Sequence, residues 1–328
     1  MTPKENYLMM LRGEIPDFMP SFYEPHGQQC EDELLTPRIA PNGPVVTSLG
    51  VTYVGSKDLM DGAMPAPNQI IIDDISKWRE QLKIRDVSDR DWEAYYKDQS
   101  KDYDRVNKTV GIGGGDYFLT LVSLMGFEGA LLAMHEDPDE VIELLQYISD
   151  FYITVMKNQI HYLKPDLFGL MDDDAAYRAP FFSLDMYRKI FKPFHKRHCD
   201  IALDAGMMIT RHDCGKSEQF VDDWLEIGIV EWNSVQCTND CVGIKKKYGG
   251  RLALAGCWDS LSWMDREFTE QEVKDALAEY VDTFAPGGRF TFFAMLGGAM
   301  DDPAANANRE LVKNFYYDYA KDWYKTHA

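Results

Sequence analysis

A histidine and a cysteine two residues apart close the run ITRHDCG at positions 209–215. In extended backbone residues i and i+2 share a face, so His212 and Cys214 project together while Asp213 points away. An imidazole beside a thiol suits zinc, which takes at least three protein ligands at a catalytic centre. A core cysteine next to a hydrogen-bonded histidine is the plainer alternative. Cys257, at the end of a later strand, is the expected third metal ligand, with Cys237 and the acidic strand ends as further candidates.

The run MDDDAAY at 171–177 puts three carboxylates together, where mutual repulsion raises at least one pKa unless cations or hydrogen bonds offset it. Such a cluster at a strand end suits general acid work or a metal, with Asp172, Asp173 and Asp174 as its candidates. A solvated helix N-terminus would also explain such a cluster. Glu24, His26, Asn233, Tyr177 and Trp258 complete the expected substrate contacts, the aromatics as an apolar wall.

Strands must present these groups. Short apolar runs at 18–24, 109–115, 166–172, 207–213, 229–235, 251–257 and 289–296 alternate with longer amphipathic stretches, the pattern of repeated βα units. Helices are expected over 137–163, 183–206 and 269–288, the last opened by a Thr269/Glu272 capping box. Seven strands, with an eighth expected in the irregular 40–100 region, make a (β/α)8 TIM barrel as one domain over 1–328 with an N-terminal extension. In that architecture chemistry collects at the strand C-terminal ends, where the groups named above fall. GIGGGDY at 111–117 lacks the register and later acidic residue of a dinucleotide fingerprint, and CTNDC at 237–241 has no second thiol clip to make a zinc ribbon.

A formal charge of -20 and a pI near 4.7 disfavour nucleic acid and anionic membranes. Lys245–Lys247 is the longest basic run and reads as surface. The N-terminus has no signal-peptide core and no run reaches membrane-span length, so a cytoplasmic protein is expected. Six cysteines in 328 residues are too few for a disulfide framework.

The opening TPKENYLMMLRGEIPDFMP, then MDDD, SLDMYRKIFKPFHKRH, RHDCGK, WLEIGIVEWNSVQ and YGGRLALAGCWD, in that order, resemble the uroporphyrinogen decarboxylase superfamily. The resemblance implies a (β/α)8 barrel and either porphyrinogen decarboxylation or cobalamin-dependent methyl transfer. The decarboxylase branch carries arginines after its first strand, whereas FYEPHGQQCEDELL has none and four acidic residues. The methyltransferase branch has a His-x-Cys similar to His212–Cys214, with zinc, but its last-strand cysteine is replaced by Leu296-Gly297-Gly298. The family's motif position falls on Asp173, so the resemblance implies that Asp173 faces the pocket as an acid–base group with His212, with Asp172 contacting substrate and Asp174 solvated.

The resemblance therefore implies transfer of a methyl group from a small donor, most simply an aryl methyl ether as in O-demethylases, to Co(I) cobalamin. The chain has no Asp-x-His-x-x-Gly, so the corrinoid is expected on a partner protein docked over the strand C-terminal face, whose rim at 30–35 reads acidic. A decarboxylase of a smaller acid, a methylcobalamin:thiol methyltransferase and a non-catalytic binding barrel are the competing readings. A homo-oligomer is compatible with all of them.

Overall fold

The computed structural model describes residues 1–35, 43–56, 62–264, 266–297 and 303–327. Seven parallel strands form its main sheet in the order β1 (Gly27–Cys30), β5 (Thr109–Gly114), β6 (Leu167–Met171), β7 (Met208–His212), β8 (Ile229–Val235), β9 (Ala253–Gly256) and β10 (Phe290–Thr291). Their sequential order and parallel pairing are those of a TIM-type α/β barrel. The sheet curls until its edges meet: Ser21, six residues before β1, bridges Phe292 just past β10, and the Phe292 N–H donates to the Pro20 carbonyl at 2.8 Å.

The first wall strand is thus split. Ser21 pairs with one neighbour and Gly27–Cys30 with the other, while Glu24-Pro25 lies between them. Proline cannot donate to a ladder, and regular pairing begins only at Gly27, past the end of the 18–24 run where the strand was expected. The eighth strand expected within 40–100 is absent among the described residues. There β2 (Val45–Val46), β3 (Thr52–Ser56) and β4 (Gly62–Pro65) form a separate antiparallel sheet.

The long helices follow their sequence signals. The 137–163 pattern folds as the 26-residue helix Pro138–Leu163, its first turn capped by Asp137. Thr269 and Glu272 make both bonds of the capping box that opens Glu270–Phe284. The 183–206 stretch is helical but widens to a π-turn over Tyr187–Phe191, because Pro193 has no N–H for the preceding turn. Among the described residues no single helix is long and apolar enough to cross a membrane.

Outward-facing Ile112, Phe168, Leu170, Ile209, Trp232 and Leu254 pack under the helices in one continuous core. The N-terminal extension is helix α1 (Pro3–Arg12), whose Tyr7, Met10 and Leu11 pack on Leu167 and Ala253. Its Tyr7 hydroxyl donates to Glu231 inside the barrel at 2.5 Å, which ties the extension to the wall.

The strand ends are tied on their outer side by a buried ionic group. Arg211 on β7 is fully buried; its guanidinium donates to Asp174 at 2.5 Å and also to Asp213, and stacks 4.8 Å from the Trp224 ring. Asp213 further accepts from the Ser217 hydroxyl at 2.5 Å. Deleting one member of such a group strands the others without compensation, at a cost of about 3–5 kcal/mol. Arg211→Met is therefore expected to lose roughly that much stability in urea unfolding; a change below about 1 kcal/mol would show that the network does not hold the wall together.

Candidate functional site

Strand alternation sorts the carboxylates at the ends of β6 and β7. Asp172 points outward, where it accepts the Phe118 and Leu119 N–H groups at 2.8 and 3.0 Å, in the first turn of the helix Tyr117–Met125. Asp174 and Asp213 also point outward, onto Arg211. Asp173 alone turns to the barrel mouth. The expectation of Asp172 as a substrate contact is corrected on this ground, and so is that of a solvated Asp174, which is completely buried.

Asp173, His212 and Cys214 come together. One donor atom from each lies within 4.8 Å of the others. The Cys214 sulfur is 3.6 Å from His212 Nε2, and His212 Nε2 is 4.0 Å from Asp173 Oδ1. Asn233 Oδ1 sits 2.9 Å from His212 Nδ1. An amide oxygen only accepts, so that bond places the proton on Nδ1 and leaves the Nε2 lone pair facing Cys214 and Asp173. Asn233 thereby orients the imidazole, and it also lines the barrel interior.

The Cys214 N–H donates to Asp173 Oδ1 at 2.8 Å, which pins the two side-chain bearers to each other. Gly215 makes this approach feasible: its φ is +79°, and a Cβ there would stand 2.3 Å from the Ala175 carbonyl oxygen. Burial, and then the neighbouring Asp173 carboxylate, push the Cys214 thiol up to about 11. The thiol is therefore protonated near neutral pH, and a cation in the cluster would favour its thiolate.

Cys257 does not join them. Its backbone is left-handed at φ +67°, it is buried, and its thiol faces Cys241. The third donor beside His212 and Cys214 is a carboxylate from the adjacent strand end. Cys237 lines the mouth cavity with Cys214 but is not in the cluster, its thiol lying 3.4 Å from Asp259 Oδ1. Of the replaced last-strand segment, Gly297 lacks any donor side chain and Gly298 lies outside the described residues.

Beside Cys214 opens a mouth cavity of about 440 Å³, walled by Tyr177, Trp258, Phe293, Met295 and Leu261. Trp258 is fixed by an indole N–H bond of 2.8 Å to the Met295 carbonyl and by stacking on Trp263 at 5.8 Å. Tyr177 and Trp258 were legible as aromatic wall candidates; Phe293 and Met295 were not, since the last strand is regular for only two residues.

Glu24 and His26 are not at the mouth. They precede β1 rather than end a strand: Glu24 is ion-paired to Lys321, and the His26 ring packs tilted against Tyr7, centroids 3.9 Å apart, on the barrel floor. Burial pushes the His26 imidazole down to about 4, so it is neutral at physiological pH.

The sequence model of the family described as uroporphyrinogen decarboxylase (URO-D) matches residues 100–302, more than half of the 328-residue chain. No curated protein matches the sequence. Among solved structures, a methyltransferase from Methanosarcina mazei superposes with a TM-score of 0.62 at 12% identity, covering 97% of this chain and 100% of that one. A 3-keto-L-gulonate-6-phosphate decarboxylase from Vibrio cholerae aligns at a TM-score of only 0.26 and 10% identity, over 68% of this chain and 78% of its own, too poorly to bear on the fold. The shared barrel and the extent of the sequence match together mean that this chain belongs to the uroporphyrinogen decarboxylase family.

Proposed function

We propose that the protein is a methyltransferase that takes a methyl group from a small aryl methyl ether and delivers it to Co(I) on a corrinoid protein. The observation that carries this reading is a cluster of three chemically distinct donors, Asp173, His212 and Cys214, opening on an aromatic-walled cavity. The fold likeness to a protein named as a methyltransferase supports it. A polyanionic porphyrinogen finds no counterpart, since no lysine or arginine is among the described residues lining the cavity.

The three donors fit zinc. Ordinary Zn–S and Zn–N bonds at a tetrahedral angle separate sulfur and nitrogen by about 3.6 Å. Cys214 and His212 already stand at 3.6 Å. Zinc bound by Asp173, His212 and Cys214 would supply a Lewis acid for the ether oxygen, which becomes a poor phenolate leaving group with a pKa near 10 in water. Trp258, Tyr177 and Phe293 would hold the ring so that its methyl carbon faces the open mouth. Asn233 keeps the His212 lone pair aimed into the cluster. Overall the ether and Co(I) yield methyl-Co(III) and phenolate, which takes a proton from solvent.

The corrinoid protein would dock over the strand C-terminal face. Exposed Met171, Tyr177, Leu261 and Met295 surround the mouth there. The rim is less acidic than its sequence: within 30–35, Asp32 is buried and accepts from the Tyr96 hydroxyl at 2.5 Å. Apolar contact, more than charge, would hold the partner.

Two outcomes are expected. Protein purified without chelator should carry one zinc per chain by elemental analysis. The metal should be lost in His212→Ala and Cys214→Ser and retained in Cys257→Ser; a metal-free wild type, or loss only in the Cys257 variant, would overturn the assignment. With Co(I) corrinoid protein, an aryl methyl ether should give the methyl-Co(III) spectrum, and Trp258→Ala should raise KM about 3- to 10-fold, the worth of one aromatic contact. No spectral change with any aryl ether would end the donor reading.

A further inference from the structure

TIM-barrel interiors are ordinarily filled by layers of bulky branched side chains. Here Gly111 and Gly113 of β5 and Gly169 of β6 face inward beside Leu167 and Met171, and hollows remain in the interior. Two contiguous hollows of about 290 and 260 Å³ share Gln29, Thr210 and Asn233. The upper one reaches His212 at the mouth; the lower one ends on Tyr7, His26 and Glu231. The Asp173–His212–Cys214 cluster therefore stands between two compartments, the aromatic cavity on the Cys214 side and this lumen on the His212 side.

The lumen walls are polar and their hydrogen-bonding capacity is open. Among the described residues the side chains of Gln29 and Thr210 make no hydrogen bond. Gln29 lies along the glycine face of β5, where a Cβ at Gly111 would stand 2.3 Å from its amide oxygen. The glycines thus make room for this amide as well as for a ligand.

The lining also selects by charge. No lysine or arginine is among the described residues around the lumen, and His26 is held neutral by burial, so an anion finds no cation. A cation would find Glu31 at the upper end and Glu231 at the lower, but Glu31 already has an interaction partner, and the two oxygens of Glu231 already accept from Tyr7 and Thr291 while burial pushes its carboxyl up to about 7.

We propose that the lumen is a specificity subsite for an uncharged hydrogen-bonding group of the methyl donor, such as a hydroxyl or carboxamide, read by Gln29 and Thr210. This rests on the aryl ether reading above. The donor is then two-sided: an aromatic ring in the mouth cavity and a neutral polar substituent reaching past His212 into the barrel.

The test is calorimetric binding of four anisoles, bearing no substituent, a carboxamide, a carboxylate or an ammonium group, to the wild type and to the double variant Gln29→Leu/Thr210→Val. The carboxamide should bind the wild type at least tenfold more tightly than the other three, and the double variant should bring all four within about threefold. Equal affinities in the wild type, preference for either ion, or a carboxamide preference that survives the double variant would each overturn the subsite.

If the double variant does not fold by circular dichroism, Gly169→Ala carries the test. Its added methyl meets only the Ile112 carbonyl and Thr210 Oγ1, at 3.7 Å each, and it narrows the lumen. It should weaken carboxamide binding selectively; unchanged carboxamide affinity would count against the subsite. Selective binding without methyl transfer from any anisole would leave the subsite standing and remove the donor reading. Methyl transfer with equal affinities would do the reverse.

Discussion

The guanidinium of Arg211 is the fixed point behind the site. Buried between the barrel wall and its helices, it joins Asp174 from the end of β6 to Asp213 from the end of β7. Because side chains alternate on extended backbone, holding Asp174 and Asp213 outward forces Asp173, His212 and Cys214 to the opposite face. Each outward acid has a partner; the inward one has only the Cys214 N–H and its neighbours in the cluster. A buried ionic group is weak evidence for net stability, but as a device that sets register it accounts for why three donors from two strands converge.

That division explains what was legible in the residues. The spacing of His212 and Cys214 stated their common face, because period two holds wherever backbone is extended. The Thr269/Glu272 capping box marked a helix start through local bonds alone. The identity of the third donor was not legible: Asp172, Asp173 and Asp174 are chemically alike, and which of them turns inward depends on the strand's last residue and on Arg211 across the ladder. Cys257 looked suitable by its strand end, yet its positive φ turns the thiol toward Cys241. Glu24 and His26 were misplaced for a different reason, since Pro25 interrupts the first wall strand and shifts its paired portion to Gly27–Cys30.

The chemistry follows from contrast between compartments. On one side of the cluster stands a wall of indole, phenol and thioether groups; on the other, a glycine-lined interior with amide and hydroxyl groups. The donors themselves are only partly exposed, so a cation there would be poorly screened by water and correspondingly effective at a developing oxyanion. Without a cation, burial keeps the Cys214 thiol protonated, so thiolate formation and metal capture are linked.

X-ray absorption at the zinc edge of the zinc-loaded protein addresses this account most directly. One sulfur at about 2.3 Å with the remaining ligands nitrogen or oxygen at about 2.0–2.2 Å is the expected shell. Two or more sulfurs would mean that Cys257 or Cys237 reaches the metal and that Asp173 is not its third protein ligand. A shell without sulfur would place any zinc outside the cluster altogether.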